Sequence, residues 1–423
     1  MTSAEPRVLM LAPYCYPATG AEAIVTSKLA VALLEAGWQV TVLTDSEAGR
    51  FYPATNLERF KVLEACTHDV RVWRPGGIAK RTGWMPITRS ASHLRGLAWS
   101  LRAAVRARGL LRQQKFDVLL SRSMPQYGHL AALMLANKRL APWVASWSDP
   151  IPPEKAPPPY GRGAQGHANW LSMRYCRAVA THADWHVFPS ERLRRYVTSY
   201  LPACRFKSSA IPHVALDGLV VPGRPSADSF VVCHAGGGLA WQAPDVLLEA
   251  FARFARTVGP QGRVHLRFIG ARREQILSAR WNGTLGHLLS FEEAKPYQET
   301  LRECASASVL LVLEADCAEG IFLPSKFVDY AQAGRPILAV SPLAGTLADL
   351  LRSYGGGVAA DCSSVDAVEL ALLKLYAHWQ SGTLEAAFEP SALQAKFSAA
   401  AVVEGYNSVL TQLSLAAHGG EIG

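Results

Sequence analysis

Between Ala315 and Val340 the chain reads Glu319-Gly320-Ile321-Phe322-Leu323-Pro324-Ser325-Lys326-Phe327-Val328-Asp329-Tyr330-Ala331-Gln332-Ala333-Gly334-Arg335-Pro336. Two carboxylates, Glu319 and Asp329, flank a lysine and a serine. That set suits a ligand carrying both an anion and hydroxyls. Apolar runs lie on either side, Ser308 to Leu313 and Ile337 to Val340, with the aliphatic content of buried parallel strands. Pro324 fits the first position of a helix, and Gly334 the residue just past its end. The order is strand, acidic loop, short helix, glycine stop, strand. The helix start at Ser325 and Lys326 aims free N–H groups and a positive dipole end above the strand ends, where an anion is the natural occupant.

The elements that must position this stretch form two alternating sets. Arg7 to Ala12 reads as a buried strand and Pro13 to Gly20 as a turn-rich loop. A helical stripe then runs to Gly37, and Gln39 to Thr44 is a second strand. This is one mononucleotide-binding unit of a doubly wound sheet. Gly20, just before the helix, lets the backbone approach a diphosphate. GxGxxG is absent, which disfavours a dinucleotide enzyme.

Arg50 to Pro86 reads as irregular, with a mobile loop suggested at Gly76-Gly77, and Ala91 to Gln114 as a long amphipathic helix with Leu94, Leu97, Leu101, Val105 and Leu110 on one side. Phe116 to Ser121 and Trp143 to Pro150 are further strands. The second ends in Asp149, at the strand end where open α/β sheets place ligands; an N-cap or Asx-turn is the alternative for that residue. The proline-rich stretch Ile151 to Gly166 reads as a surface loop able to close over a site. His182, His186 and His213 read as packed or solvated rather than catalytic.

Pro222 to Ser229 is the clearest linker, and a second alternating set follows it. Phe230 to Ala235 is a strand leading into Gly236-Gly237-Gly238, a phosphate-sized turn. Val264 to Gly270 is the next strand; Gly270 permits close backbone approach, with Arg272 alongside. Short strands at Leu285 to Ser290 and Gly357 to Ala360, and a last helix from about Ala395 to Leu415, complete the pattern. The expected architecture is α/β: two doubly wound, Rossmann-like domains facing across a cleft. Residues 1–215 would form the first domain, 216–228 a linker, 229–395 the second, and 396–423 a C-terminal helix and tail.

Length and composition agree with two domains of roughly 200 residues each. Of the 423 residues, 49% are hydrophobic and 18% charged, which excludes a disordered chain. No apolar run approaches the ~20 residues of a membrane span. The N-terminus has no basic segment, so no secretory signal is indicated. The 8 cysteines form no CxxC pair, which argues against a disulfide framework or a zinc site and fits a reducing cytoplasm. The net charge is +9, and from Arg71 to Lys115 the basic residues Arg71, Arg74, Lys80, Arg81, Arg89, Arg95, Arg102, Arg106, Arg108, Arg112 and Lys115 occur without a single acid. Trp73, Trp84 and Trp99 are interleaved. An anionic membrane surface and a solvated helix face are the two readings of this region; a nucleic acid is disfavoured.

Together these residues resemble the GT-B nucleotide-sugar glycosyltransferases, specifically the retaining family 4. The most specific part is Glu319-Gly320-x-x-Leu323-Pro324 with Asp329-x-x-x-x-Gly334-x-Pro336. Further matches are Pro17-Ala18-Thr19-Gly20 with Leu29-Ala30-x-x-Leu33-x-x-x-Gly37-x-x-Val40, Ala183-Asp184 with Ser190, and Ile211-Pro212-His213-Val214. The second acid stands ten residues after Glu319, where family members usually space two glutamates by eight. The resemblance implies a sugar transferred from a nucleotide-diphosphate sugar to a glycan or lipid-linked acceptor, in cell-surface polysaccharide synthesis, without a metal. Glu319, Lys326 and Asp149 would be catalytic. Gly20, Gly237, Gly270, Arg272, Ser325 and Asp329 would bind the donor, with Asp329 on the ribose and Glu319 on the sugar.

The family's usual Arg and Lys after the second-domain glycines are missing, and Arg272 or Lys326 would replace them as the diphosphate clamp. Asp149 stands where an acceptor-side histidine is usual. Lys326 and Asp329 could also stand as an exposed i, i+3 pair. A nucleotide-sugar epimerase of the same fold and a non-catalytic nucleotide-sugar or partner-binding module remain open as alternatives. The expected location is cytoplasmic, peripheral on the inner face of the membrane if the basic region binds lipid.

Overall fold

The computed structural model describes residues 5–46, 57–72, 85–137, 140–219, 223–237, 244–259, 263–276 and 279–419. Trp73, Arg74, Gly76, Gly77, Lys80, Arg81, Trp84 and the run from Gly238 to Gln242 lie outside the described residues.

Two parallel sheets follow one another along the chain. The first holds β1 (Arg7–Leu11), β2 (Gln39–Thr44), β3 (Thr67–Asp69), β4 (Val118–Arg122), β5 (Trp143–Ser146), β6 (Trp185–Phe188) and β7 (Ser208–Ala210). Their spatial order is β3-β2-β1-β4-β5-β6-β7. The second holds β8 (Phe230–Ala235), β9 (Val264–Ile269), β10 (Leu289–Glu292), β11 (Val309–Leu313), β12 (Ile337–Ser341) and β13 (Gly357–Asp361), ordered β10-β9-β8-β11-β12-β13. All of these pairings are parallel. The central strands are buried end to end, as Val118–Arg122 and Val309–Leu313 illustrate, because helices cover both faces. Strand order reverses beside β1 in the first sheet and beside β8 in the second. Those two crevices are where doubly wound sheets accept ligands. The α/β reading of the sequence, two doubly wound domains, therefore holds.

Seven helices matter below: α1 (Ala21–Glu35), α2 (Met85–Gln113), α3 (Glu191–Tyr200), α4 (Tyr297–Ala305), α5 (Ser325–Ala333), α6 (Thr346–Tyr354) and α7 (Ala399–Gly419). Local signals set their ends. Ser190 caps α3 by accepting the Leu193 N–H at 3.0 Å. Gly334 closes α5 with φ +68°, the left-handed conformation that favours glycine. Pro324 stands at the N-cap, one residue before the first helical position expected for it. The neighbouring Arg335 is buried and clamps the second half to the connecting segment, donating Nε to the Ala305 carbonyl at 3.0 Å and its Nη groups to Glu385 and the Gly223 carbonyl.

The last helix is broken at Ser398 rather than continuous. Ser391–Phe397 packs on the second sheet through Leu393 and Phe397. In contrast, α7 returns to the first, where Val402, Tyr406 and Val409 join Val8, Leu33 and Val118 in one core. Two edge strands, β3 and β7, were not expected from the sequence, and β10 is displaced towards Glu292. Each has three or four residues with little aliphatic content, so neither hydrophobicity nor length marks it.

The largest departure concerns α2. Leu94, Leu97, Leu101 and Val105 were expected on one apolar side, and they do share a face, but that face is open: they are 67%, 43%, 52% and 75% exposed. The buried stripe is instead Gly96, Trp99, Ser100, Ala103, Ala104, Ala107 and Leu111. Small residues let the helix lie close to its neighbour Tyr127–Ala136, and the Tyr127 ring occupies the space a Cβ on Gly96 would need.

Close approach also decides Gly128, packed where β1 and β4 end. A Cβ there would stand 2.4 Å from the Arg122 carbonyl oxygen and 2.6 Å from that of Leu11. Gly128→Ala is expected to lower stability by about 2–4 kcal/mol in chemical denaturation, since backbone on both sides would have to move. A loss below about 0.5 kcal/mol would show that this junction yields easily.

Candidate active site

The C-terminal ends of the two sheets face each other across a cleft holding two adjoining cavities. The first, about 210 Å3, lies against Thr19, Gly236, Gly237, Gly270, Lys295, Tyr297, Lys326 and Asp329. The second, about 440 Å3, lies against Glu22, Ser148, Asp149, Tyr160, His213, Glu314 and Lys326. Ala21, Ser325 and Lys326 belong to both walls. The N-termini of α1 and α5 therefore mark the boundary between them. Neither helix has a side-chain cap, so their first N–H groups remain for a ligand.

Lys326 is the cation of the first cavity. Its ammonium donates to Nε2 of His234 at 3.2 Å, while His234 Nδ1 is 3.0 Å from the Leu311 carbonyl. Burial and the lysine charge hold His234 well below the usual histidine range, so the ring is neutral, with its proton on Nδ1 and a lone pair towards the lysine. Burial also lowers Lys326 to about 8. Gly236, at φ +111°, is needed here, because a Cβ would come within 3.0 Å of the ammonium.

One turn along α5, Asp329 Oδ1 accepts from Lys28 Nζ at 2.6 Å and from the Tyr297 hydroxyl at 2.7 Å. Lys28 belongs to α1 and is fully buried, so this pair joins the two halves of the chain across the cleft. Ser190 adds a second tie, donating its hydroxyl to the Ile321 carbonyl at 2.8 Å.

The second cavity is acidic. Glu314 follows directly after β11 and is 4% exposed, and its Oε2 has no hydrogen-bond partner. Burial raises its carboxyl to about 8, with no described cation offsetting the shift. Asp149 is raised to about 6, again by burial. Glu22 rises to about 7 through burial, partly offset by Arg122 at 3.9 Å and reinforced by the charge of Asp149; it also accepts the Ser148 hydroxyl at 2.9 Å. His213 is pushed down to about 3 by burial and stays neutral. The proline-rich loop forms the outer wall: Tyr160 accepts the Ala315 N–H at 3.1 Å and meets the Phe322 ring edge-on at 5.1 Å.

The structure thus gathers most of the expected residues. Gly237, Gly270, Ser325, Lys326 and Asp329 line the first cavity, Gly20 caps α1 between Thr19 and Ala21, and Asp149 lines the second. Two expectations need correction. Glu319 lines neither cavity: its loop turns towards α3, where its carboxylate accepts from Arg192 at 2.7 Å, and Arg192 also holds Asp349 of α6 at 2.6 Å. Arg272 is exposed and outside the walls, because the chain after Gly270 turns outward. Lys28, Glu22, Lys295, Tyr297 and Glu314 are the site residues that sequence reasoning missed. Of these Lys295, paired with Glu292 and Glu303, is the basic residue beside the second-half glycines.

Comparison with known proteins defines the class. Residues 19–205 match the family model described as a glycosyl transferase 4-like domain. Sucrose-phosphate synthase from Thermosynechococcus elongatus superposes with a TM-score of 0.68 at 14% identity, covering 98% of this chain and 100% of that one. The catalytic domain of starch synthase IV from Arabidopsis thaliana, bound to ADP and acarbose, gives 0.66 at 12% identity, covering 97% and 99%. HepE of Anabaena, in complex with UDP and glucose, gives 0.64 at 14% identity, covering 96% and 100%. At these identities the superpositions establish the fold. No curated protein matches the chain in sequence. Residues 19–205 therefore match a glycosyl transferase 4-like domain, and the two halves together have the GT-B fold of the superposed proteins.

Glu314 allows a direct test of the site's electrostatics. Its folded-state pKa lies above the ordinary 4.5, so the protonated carboxyl stabilises the fold and that contribution fades as pH rises through about 8. Between about pH 5 and pH 8, Glu314→Gln should gain stability over the natural protein, on the order of 1 kcal/mol per pH unit, and the gap should level off above about pH 8. Thermal melts of both proteins across that range provide the check; a gap that does not vary with pH would mean Glu314 ionises freely.

Proposed function

We propose that the protein transfers a sugar from a nucleoside-diphosphate sugar to a glycan or lipid-linked acceptor, with retention at the anomeric carbon, in cell-surface polysaccharide synthesis. The observation that carries the reading is the convergence of the uncapped starts of α1 and α5, the glycines 236, 237 and 270, and Lys326 on one cavity at the switch point of the second sheet. The donor's diphosphate lies over Ser325 and Lys326, where helix N–H groups and a low-dielectric ammonium stabilise the charge that grows as the sugar–phosphate bond breaks. Gly236 and Gly237 let the backbone close on it. His234, neutral and accepting, keeps the Lys326 ammonium in place. Asp329 takes the ribose through the oxygen that Lys28 and Tyr297 do not use. The sugar then projects past Ala21 into the larger cavity, where Glu22, Asp149 and Glu314 face its hydroxyls and the incoming acceptor. The HepE and starch synthase structures are in complex with UDP and glucose and with ADP and acarbose, ligands of the same chemical kind. Retention rests on the family resemblance of the Asp329 helix.

A saturating nucleoside diphosphate should raise the melting temperature, since binding at about 100 Kd adds about 2.7 kcal/mol to the folded state. UDP, ADP, GDP and dTDP form the panel. Lys326→Ala should abolish the shift and reduce sugar transfer about 100-fold or more while the fold persists. If none of the four shifts the natural protein, the nucleotide reading fails.

The open face of α2 supports a lipid-linked acceptor reached at a membrane surface. Leu94, Leu97, Leu101 and Val105 are exposed beside Arg102, Arg106, Arg108 and Arg112, an apolar stripe edged by cations. Among the described residues no helix is long and apolar enough to cross a membrane. The protein should therefore float with vesicles containing anionic lipid and lose them as salt rises over the Debye range, about 10 Å at 0.1 M. Equal binding to neutral vesicles, or none to either, would reject this face as the contact.

A further inference from the structure

The outer wall of the larger cavity is a strap from the first half of the chain. Residues 151–166 hold their own shape: Lys155, only 9% exposed, donates Nζ to the carbonyls of Ala164 at 2.7 Å and Gly166 at 2.8 Å. Two hydroxyls of α3 fasten its base, Tyr196 donating to the Lys155 carbonyl at 2.8 Å and Tyr200 to that of Ile151 at 3.4 Å. At the tip, the N–H groups of Tyr160 and Gly163 donate to the carbonyls of Pro157 and Ala156. A Cβ on Gly161 would stand 2.6 Å from the Ala156 carbonyl oxygen, so the turn beside Tyr160 is closely packed. A loop bonded this fully within itself keeps its shape when its outward contacts change.

Tyr160 carries the strap across to the second half. Its hydroxyl accepts the Ala315 N–H at 3.1 Å, and its ring meets Phe322 edge-on at 5.1 Å. Ala315 and Phe322 belong to the segment that leaves β11 and enters α5 at Ser325 and Lys326. Two deeper ties grip the same segment: Ser190 holds the Ile321 carbonyl, and Arg192 holds Glu319. Ile321 itself is fully buried among first-half core residues, Trp147 and Phe188 included. Of Tyr160, Ser190 and Arg192, Tyr160 alone lines the larger cavity. The deeper ties fix the segment, and Tyr160 covers the space in front of it. Burial raises both Asp149 and Glu314 on that wall, which marks the enclosed space as poor in water. Burial also pushes Tyr160 up to about 12, so its hydroxyl stays neutral.

An activated sugar reacts with whichever hydroxyl reaches its anomeric carbon. In transfer, an acceptor oxygen bonds to that carbon, the bond from carbon to the diphosphate oxygen breaks with its electron pair left on the diphosphate, and the acceptor's proton is released. With water in the acceptor's place the same bonds change, and the products are free sugar and nucleoside diphosphate. Water outnumbers any acceptor, so the outcome depends on what covers the sugar. Resting on the nucleotide-sugar reading above, we propose that Tyr160 selects acceptor over water, its hydrogen bond to Ala315 and its ring contact with Phe322 closing the cavity around the sugar. One neutral hydrogen bond and one ring pair are readily released to admit an acceptor, because the strap's remaining bonds stay within the first half.

The test uses the full chain without acceptor, comparing the natural protein with Tyr160→Phe and Tyr160→Ala. Amide hydrogen exchange reads the strap directly. Tyr160→Phe keeps the ring and loses the hydroxyl; it should speed exchange of the peptide containing Ala315 about tenfold, as for one lost neutral hydrogen bond, and leave the peptides of α3 unchanged. In parallel, UDP-glucose, ADP-glucose, GDP-mannose and dTDP-glucose are each followed for release of free sugar and nucleoside diphosphate. Tyr160→Ala should hydrolyse at least one of them about tenfold faster than the natural protein, with calorimetric affinity for the nucleoside diphosphate within about twofold. Tyr160→Phe should lie between the two. Loss of a merely structural side chain slows turnover and does not raise it. Unchanged exchange at Ala315, or hydrolysis that is equal or slower in Tyr160→Ala, overturns the proposal. Binding of a nucleoside diphosphate without that rise defeats this inference alone, whereas no binding of UDP, ADP, GDP or dTDP defeats the nucleotide-sugar reading and this inference with it.

Discussion

The ion pair between Lys28 and Asp329 is the interaction on which the cleft depends. Lys28 is fully inaccessible, and an ammonium out of water is tolerable only with a partner at close range. That partner lies 301 residues away on the other sheet, braced at the same oxygen by the Tyr297 hydroxyl. The pair fixes how far the start of α1 stands from α5, and with it the two uncapped helix ends. Its net worth in stability is small, since desolvating both charges offsets most of their attraction. What it supplies is registry: neither residue can move away without leaving a buried charge alone. A ribose hydroxyl on the same carboxylate would add to this geometry instead of dismantling it.

From that registry follows the division of the cleft by sign. On the α5 side the helix dipole, Lys326 and the glycine turns make a basin for negative charge, while Asp149, in the loop after β5, and Glu314, directly after β11, line the opposite basin. Both lie beyond strand C-terminal ends, where doubly wound topology places ligand-facing residues. Their shifted ionisation has one cause, loss of water, and the proline-rich loop with Tyr160 is what removes it. On the transfer reading proposed above, such exclusion acts twice over. It strengthens every charge interaction inside, and it keeps water from competing with the acceptor.

Much of this was legible from residue types alone, where the physics is local. Pro324 and Gly334 bound α5 because of backbone preferences that need no tertiary partner, and Gly237 and Gly270 mark turns that only small residues permit at a cavity wall. The alternation of apolar runs and helical stripes was enough for two Rossmann-like halves. The misses are the residues whose meaning lies in what they face. Lys28 looks like any polar interruption of an amphipathic helix until Asp329 is seen opposite. Glu314 looks like the frayed end of an apolar run, though the strand-end logic that singled out Asp149 applies to it equally. Glu319 was read by its spacing from Asp329, yet a loop carboxylate goes where its cation is, and Arg192 stands on the far side.

The helix α2 carries the same lesson to the surface. An amphipathic period identifies two faces but not which one is buried. Large aliphatic residues suggest an inner face by transfer free energy, about 25 cal/mol per Å2 of apolar surface. Here the alternative face, of alanines with Gly96, Ser100 and Trp99, packs against a neighbouring helix whose own surface leaves no room for leucine. Close backbone approach and a single buried tryptophan outweigh the leucines, which remain outside with the arginines between them. On the membrane reading proposed above, this exposed apolar face is covered by lipid and the adjoining arginines meet its anionic headgroups. Glu22 and Asp149 belong to the same half of the chain as this face, so on that reading an acceptor would arrive on a domain that contributes part of the acidic wall.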